Sequence, residues 1–263
     1  MKNSFAYLSC LFGITSSLQA ASVFSDNFNS YAAANLVGQG GWSQTGTIAT
    51  SPIQVDAFGQ VVLGTSGQDV YSAFGSSATH TDGSAIFASL DITVTAAQSA
   101  GDYFFHLSDP VGTTGNFYTR VYAKASANVG FFQLGVASGS GSGSVITYGG
   151  DLALGQSLNV VLGWNFISGT ANDTLNLYVN PTDSVEANNT AYIGGYTWTG
   201  TLAEPSQISA VNFRQGSGSS APTLVADNIN IGTSFSDVVA VPEPASATLL
   251  GLGLAACLIR RRN

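Results

Sequence analysis

Charge is scarce in this chain, and basic charge most of all. Only 8% of the 263 residues are charged, with seven Lys and Arg against fifteen Asp and Glu, whereas about 25% is usual. The chain has too few Glu and Lys for a coiled coil, and at 44% too many apolar residues for a disordered acidic tail. A formal charge of −8 disfavours contact with phosphate backbones and anionic lipid head groups. We therefore expect no nucleic-acid partner.

Cysteine is nearly absent as well. Cys10 and Cys257 are the only two, and both lie in terminal segments. If those segments are removed, the mature protein has neither a disulfide nor a thiolate, which excludes Cys-based zinc sites and cysteine nucleophiles.

The first 20 residues have the layout of a secretory signal peptide. Lys2 is followed by an apolar stretch over residues 5–14, which is too short to span a bilayer. Small residues then lead to Ala20, near which we predict cleavage. Cys10 raises the alternative of a lipoprotein, but Tyr7 stands where a lipid-attachment motif has Leu, and too little apolar chain precedes it.

The C-terminus combines a Pro-Glu-Pro motif, a short apolar segment and a cluster of arginines, in that order. These are Pro242, Glu243 and Pro244, then fifteen uncharged residues over 245–259, then Arg260, Arg261 and Arg262. As a helix the apolar segment would extend about 22 Å, short of a hydrocarbon core of about 30 Å, so it is a marginal membrane helix. The positive-inside rule places the arginines in the cytoplasm and the preceding chain on the far side.

In these features the tail resembles the PEP-CTERM sorting tail. The resemblance implies an exosortase as partner and transient insertion into the inner membrane of a Gram-negative bacterium. It further implies cleavage at the motif and transfer to the cell surface or its exopolysaccharide matrix. A plain C-terminal anchor is the alternative, although a segment this short fits the bilayer poorly. A GPI signal, in contrast, ends in apolar residues.

These segments divide the chain into four parts. We predict a signal peptide over 1–20, a β-sandwich domain over 21–235, a linker with the Pro-Glu-Pro motif over 236–244, and the sorting helix with its arginines over 245–263. The length of the body suits one all-β domain. Its only basic residues are Arg120, Lys124 and Arg214.

Apolar and polar residues alternate along much of the body. The alternation is clear over 86–94, 158–166 and 175–179, and no helical period is found between the termini. Further strands are predicted over 23–28, 60–63, 103–107, 117–124, 130–135, 208–214 and 224–231. So many short strands require two packed sheets or a barrel. We predict an all-β, two-sheet antiparallel jelly-roll sandwich.

Short segments of the body resemble a concanavalin A-like (laminin-G-like) sandwich. They lie at 24–28, 40–42, 175–181 and 225–232. The resemblance implies a fold and says little about activity.

Few residues of the body suit catalysis. Glycan hydrolases of this fold need paired carboxylates on one strand, but Glu186 lies in a loop, Glu204 precedes a proline and Glu243 belongs to the sorting motif. Lyases of similar shape need clustered Arg, His, Gln and Tyr, and no motif joins His80 or His106 to an arginine. We interpret His106 as a partly exposed sheet residue and predict that the protein is not an enzyme.

Two aspartates stand in the apolar phase of their strands. Asp26 is in phase with Phe24, and Asp227 with Ile229, so alternation directs both carboxylates towards an apolar face. If the first and last strands pair, a structural Ca²⁺ held by Asp26, Asp227, carbonyls and water would resolve the buried charge. The alternative is that both side chains cap turns through backbone N–H groups. No other cofactor is expected.

One strand carries a stripe of aromatic and basic residues on alternate positions. Tyr118, Arg120, Tyr122 and Lys124 are predicted to share one face. Aromatic rings stack on sugars and basic groups pair with uronate carboxylates, so the stripe is a candidate glycan-binding platform. The alternative is an ordinary solvated sheet face.

Together these patterns favour an exported, non-catalytic surface or extracellular-matrix protein associated with exopolysaccharide. A carbohydrate-binding module on the same scaffold is the alternative, and a glycan hydrolase or lyase is a third hypothesis.

Overall fold

The computed structural model describes residues 22–239. The predicted signal peptide, the Pro-Glu-Pro motif, the apolar tail segment and the arginine cluster lie outside the described residues. Within 22–239, no helix has the length and apolar character needed to cross a membrane.

The described residues form sixteen strands and two short helical turns. The first eight strands are β1 (Phe24–Asp26), β2 (Ser43–Thr45), β3 (Gln54–Val55), β4 (Val61–Leu63), β5 (Asp69–Thr79), β6 (Ala85–Ala96), β7 (Asp102–Ser108) and β8 (Phe117–Ala125). The others are β9 (Phe131–Gly139), β10 (Thr147–Tyr148), β11 (Leu152–Ala153), β12 (Ser157–Asn165), β13 (Thr174–Val179), β14 (Ile193–Thr197), β15 (Gln207–Phe213) and β16 (Thr223–Gly232). A 3₁₀ turn spans Glu186–Asn188, and the helix α1 spans Phe235–Val238.

The strands form two eight-stranded antiparallel sheets. Sheet A has the order β14-β13-β12-β6-β16-β4-β3, with β1 also paired to β16. Sheet B has the order β10-β9-β8-β7-β15-β5-β2, with β11 also paired to β9. This confirms the predicted all-β, two-sheet antiparallel sandwich. The pairing of β1 with β16 also confirms the expected contact between the first and last strands.

The main core lies between the two sheets and follows the alternation seen in the sequence. Leu158, Val160, Leu162 and Trp164 of β12 all point into it, since every second residue of a strand lies on one face. Trp42 stacks on Phe213 at 5.4 Å between ring centroids. Burying one leucine or valine side chain stabilises the fold by about 1.5–3 kcal/mol. The core therefore strongly favours the strand pairing that points these residues of β12 inward.

Two left-handed residues reverse the alternation within their strands. Thr119 in β8 has φ of 47° and Asn228 in β16 has φ of 50°, and the pairing with neighbouring strands shifts at both places. Such bulges turn the following side chains to the other face. The faces of β8 and β16 therefore differ on the two sides of each bulge.

The helix α1 packs on the outer face of sheet A. Phe235 contacts Phe87 and Tyr178 edge-to-face, at 5.6 and 5.0 Å between centroids. Asp237 Oδ2 accepts a hydrogen bond from the backbone N–H of Ser234, which fixes the start of the helix. These rings form a second small apolar cluster, so the described chain ends on the outside of sheet A.

Candidate functional site

The three basic residues of the body lie on the outer face of sheet B. Arg120 and Lys124 are on β8, where the intervening residues Val121 and Ala123 point into the core. Arg214 directly follows β15, the strand next to β7, and β7 pairs with β8, so the sheet brings Arg214 close to the two basic residues of β8. In an acidic chain this concentrates the positive charge on one surface.

Aromatic rings support each of these cations. The Cζ atom of Arg120 lies 5.3 Å from the ring centroid of Tyr103 and 5.5 Å from that of Tyr122. Arg214 Cζ lies 4.2 Å from the same Tyr103 ring, and Lys124 Nζ lies 4.0 Å from the ring of Tyr148. Cations at these distances are attracted to the ring face. We call this surface the cationic face and define it by Tyr103, His106, Phe117, Arg120, Tyr122, Lys124, Tyr148 and Arg214.

The charges of the cationic face are only partly compensated. Arg214 pairs with Asp102, at 2.8 Å between Nη1 and Oδ1, and more distantly with Asp69, at 3.8 Å. Arg120 Nη2 donates to Gly139 O and Ser144 Oγ, at 2.6 and 2.7 Å. Among residues 22–239, no carboxylate forms a salt bridge with Arg120 or Lys124. The charges of these two half-buried cations are therefore not neutralised by a carboxylate of the described residues.

His106 lies beneath the arginines and is buried, with 2% of its surface exposed. Its ring packs against Phe117 and Tyr103, at 4.6 and 5.5 Å between centroids. The expectation of a partly exposed residue is therefore wrong, because these rings cover the imidazole. Neither ring nitrogen has a hydrogen-bond partner among the described residues. Burial, reinforced by Arg214 and Arg120, lowers the pKa of His106 well below its usual value, so the ring is neutral at neutral pH.

Asp69, which lies beside Arg214, also has a shifted pKa. Burial raises its pKa to about 6, although the backbone N–H of Gln215 and the charge of Arg214 act in the opposite direction. Asp69 is thus ionised at neutral pH and protonated in mild acid.

The structure divides the stripe of four residues predicted from the sequence. Arg120, Tyr122 and Lys124 share the cationic face, but Tyr118 does not. Because Thr119 is left-handed, Tyr118 points into the main core, where its ring centroid lies 6.1 Å from those of Trp164 and Trp198. The prediction that all four share one face is therefore wrong for Tyr118.

Several members of the cationic face were not found from the sequence. Tyr103, Phe117, Tyr148 and Arg214 come from four separate segments, and only sheet pairing brings them together. One signal in the sequence could have pointed to Arg214: basic residues are so rare in the body that each of the three is a candidate for function.

The two predicted calcium ligands are placed differently from each other. Asp26 accepts hydrogen bonds from Phe28 N and Trp42 Nε1, at 3.0 and 2.8 Å, and from the hydroxyl of Tyr31. Asp227 was expected to face the core together with Ile229. This is wrong, because the bulge at Asn228 reverses the alternation between them, so Ile229 points inward and Asp227 points outward. Each carboxylate accepts a backbone N–H close in sequence, as the turn-capping alternative expects. Calcium binding by the pair remains a prediction.

One group of three metal-type ligands occurs among the described residues, at a different place. Oxygen or nitrogen atoms of His80, Asp173 and Glu204 lie within 4.8 Å of one another. The buried Asp173 already accepts hydrogen bonds from His80 Nε2, Trp164 Nε1 and Ile167 N, at 2.8, 2.8 and 2.7 Å. These three donors stabilise the carboxylate of Asp173. The cluster therefore serves as a structural link between loops of the two sheets. Nothing in the sequence indicated this contact, because its members are far apart along the chain.

Fold and surface together define an acidic β-sandwich with a single basic, aromatic face. Residues 240–263 match the PEP-CTERM protein-sorting motif, which confirms the resemblance seen in the sequence. The motif implies exosortase processing, export and sorting to the cell surface of a Gram-negative bacterium. No relative was found among curated protein sequences.

The body is similar to solved β-sandwich domains at low sequence identity. The globular domain of T. cruzi calreticulin is 10% identical with a TM-score of 0.46, covering 81% of this chain and 88% of that one. The CBM2 module of the evolved Dit of Lactobacillus casei BL23 phage J-1 is 12% identical with a TM-score of 0.46, covering 80% and 94%. Lectin II from Ulex europaeus is 13% identical with a TM-score of 0.41, covering 81% and 100%. At these values the similarities carry no information on ligand or activity.

Proposed function

We propose that this protein is an exported, non-catalytic surface or matrix protein that is retained in an acidic exopolysaccharide through its cationic face. The proposal includes the removal of residues 1–20 on export and of the tail at the Pro-Glu-Pro motif. The observation that carries it is the placement of Arg120, Lys124 and Arg214 on one face, over aromatic rings, in a body that is otherwise acidic.

The chemistry of this face suits a carboxylated polymer. Arg120 and Lys124 have no carboxylate partner among the described residues, so their positive charge can attract the carboxylates of a polymer. Phe117 and Tyr148 are partly exposed and offer ring surface to sugars. The acidic remainder of the surface repels a polyanion, so the polymer would meet the protein on this side only.

The glutamates and His106 support a non-catalytic role. Glu186 accepts a hydrogen bond from the Tyr178 hydroxyl at 2.6 Å, and Glu204 accepts the backbone N–H groups of Asn172 and Asp173. Each carboxylate thus ties its own loop to another segment of the fold. His106 is too deeply buried to reach a bound glycan.

Retention on immobilised alginate, a polymer of uronates, tests the proposal. We expect the chain to be retained at low ionic strength and released by salt, because binding rests on charges near the surface, which salt screens. The double variant Arg120→Gln, Lys124→Gln should elute without retention. Uncharged dextran on the same support should not retain the chain through this face.

A charge-matched variant separates the face from the overall charge. Asn35→Asp with Thr190→Glu changes the net charge by the same amount at exposed positions elsewhere, and it should elute at nearly the wild-type salt concentration. Equal retention of the Arg120→Gln, Lys124→Gln variant and the wild type would refute the role of the cationic face.

A further inference from the structure

A cleft lies in sheet A, the sheet opposite the cationic face, where β1 meets β16. Its volume is about 430 Å³, within the usual size of small-ligand sites. Its lining is mostly polar and includes Ser25, Asp26, Asn27, Tyr31, Asn228 and Asn230. None of the residues that line it is basic, so it differs in chemistry from the cationic face.

Two irregularities of the backbone create this cleft. The outer edge of β16 pairs with β4 up to Ala226 and with β1 from Ile229 onwards, and the left-handed Asn228 lies at the gap between the two pairings. Directly after β1, Phe28 is also left-handed, with φ of 52°, and turns the chain away from the sheet. Left-handed non-glycine residues are energetically unfavourable and persist where the surrounding structure fixes them.

The floor of the cleft is held rigidly. The Tyr31 hydroxyl and Trp42 Nε1 both donate to Asp26 Oδ2, and Phe28 N donates to Oδ1. A Cβ atom at Gly40 would lie 1.4 Å from the Tyr31 hydroxyl oxygen, so only glycine allows the phenol ring to lie there. Burial and Asp26 raise the pKa of Tyr31, which keeps its hydroxyl protonated. The carboxylate and the phenol are thus fixed in place before any ligand binds.

The lining identifies the chemical class of the ligand. Amide side chains at Asn27 and Asn230 each offer donors and acceptors, and Asp26, which has about four acceptor positions, keeps one beyond its three internal hydrogen bonds. This combination matches the hydroxyl groups of a sugar, with the ring of Tyr31 as an apolar surface for its C–H groups. An anionic ligand is disfavoured, because the lining has no basic residue and because, besides burial, the nearby carboxyl group of Asp26 helps to raise the pKa of Asp227.

We propose that this cleft binds a neutral sugar unit. The inference goes beyond the proposed function, because it concerns an uncharged ligand and a different sheet. A protein with both sites would join an acidic polymer to a neutral one.

Saturation-transfer NMR with the full-length chain tests the proposal, using cellohexaose, mannohexaose and β-1,4-galactohexaose as probes. At least one of these should give a signal, and the variant Asn27→Ala, Asn230→Ala should weaken its binding at least tenfold. Ser30→Trp places a large side chain at the exposed rim without removing a hydrogen bond, and it should abolish the signal in a folded protein. The matched control Asn188→Ala, at an exposed asparagine outside the cleft, should bind like the wild type.

The outcomes distinguish this site from the cationic face. Asn27→Ala, Asn230→Ala should remain on alginate, whereas Arg120→Gln, Lys124→Gln should keep the neutral-sugar signal. Absence of signal from all three probes, or a signal that survives the variants of the cleft, would overturn the proposal. Binding of Ca²⁺ without binding of any oligosaccharide would overturn it as well, since Asp26 would then serve a metal ion.

Discussion

At the scale of the residue, the partly exposed Asp69 and the buried His106, both close to Arg214, titrate in opposite senses. The folded state holds a proton on Asp69 more tightly than the unfolded chain does, so the stability that this group contributes is lost as the pH rises towards about 6. His106 is the reverse case. Its contribution is present above the usual histidine pKa of 6.5 and is lost as the pH falls below that value.

Single variants should separate these two contributions. For Asp69→Asn, the melting temperature relative to the wild type should increase as the pH rises from 4 to about 6. For His106→Phe, the same difference should increase as the pH falls from 7 to 5, because only the wild type loses stability there. Circular dichroism melts at four or five pH values measure both. Differences that do not vary with pH would contradict the assignment.

Tyr118 belongs to the core, and its substitution should affect folding first. Removing a buried aromatic ring costs about 3–5 kcal/mol, so Tyr118→Ala should lower the free energy of unfolding by about that amount in urea. Tyr118→Phe keeps the packing against Trp164 and Trp198 and should stay within about 0.5 kcal/mol of the wild type. A stable Tyr118→Ala protein with reduced alginate retention would instead indicate that Tyr118 lies on the surface.

At the scale of the element, the sequence predicted strands wherever alternation was unbroken. It missed the two- and three-residue strands β2, β3, β10 and β11, which are too short to show a period. It also missed β5 and β14, because Gly75 and the neighbouring serines of β5, and the Gly194-Gly195 pair of β14, are typical of turns. Tertiary pairing determines these strands. The bulges at Thr119 and Asn228 were also invisible, since each depends on a single backbone angle. This explains why Tyr118 and Asp227 were assigned to the wrong faces while the strands containing them were found.

The bulge in β16 makes a prediction about its own residue. A β-branched side chain in the left-handed region is unfavourable by roughly 1–2 kcal/mol, so Asn228→Val should destabilise the protein by about that much relative to Asn228→Gly. Both variants lose the hydrogen bond from Asn228 Nδ2 to Asp91, so their difference reports the backbone alone. Urea unfolding of the pair gives the value. Equal stabilities would indicate that the bulge is absent in solution.

At the scale of the whole molecule, the sorting motif and the sandwich differ in how far the sequence alone predicts them. The motif could be predicted because its three features are adjacent in sequence. The cationic face could be predicted only in part, since its members become neighbours through the order of strands in sheet B.

Intact mass spectrometry tests the processing that the motif implies. The protein recovered from the cell surface should lack the mass of residues 245–263, whereas Pro242→Ala with Glu243→Ala should keep that mass and stay with the membranes. Arg120→Gln, Lys124→Gln is the control and should be processed normally. A full-length wild-type protein at the surface would contradict cleavage.

The packing of α1 places the end of the described chain on the side of the sandwich opposite the cationic face. Phe235 lies on the outer side of sheet A, and the cationic face lies on the outer side of sheet B, with the whole sandwich between them. If the tail holds a newly exported copy at the membrane on the α1 side, as the proposed processing implies, its basic surface faces outward, away from the lipid. Under the proposed function, capture by the surrounding polymer would then come before release, and each copy would already be attached to the matrix when the tether is cut.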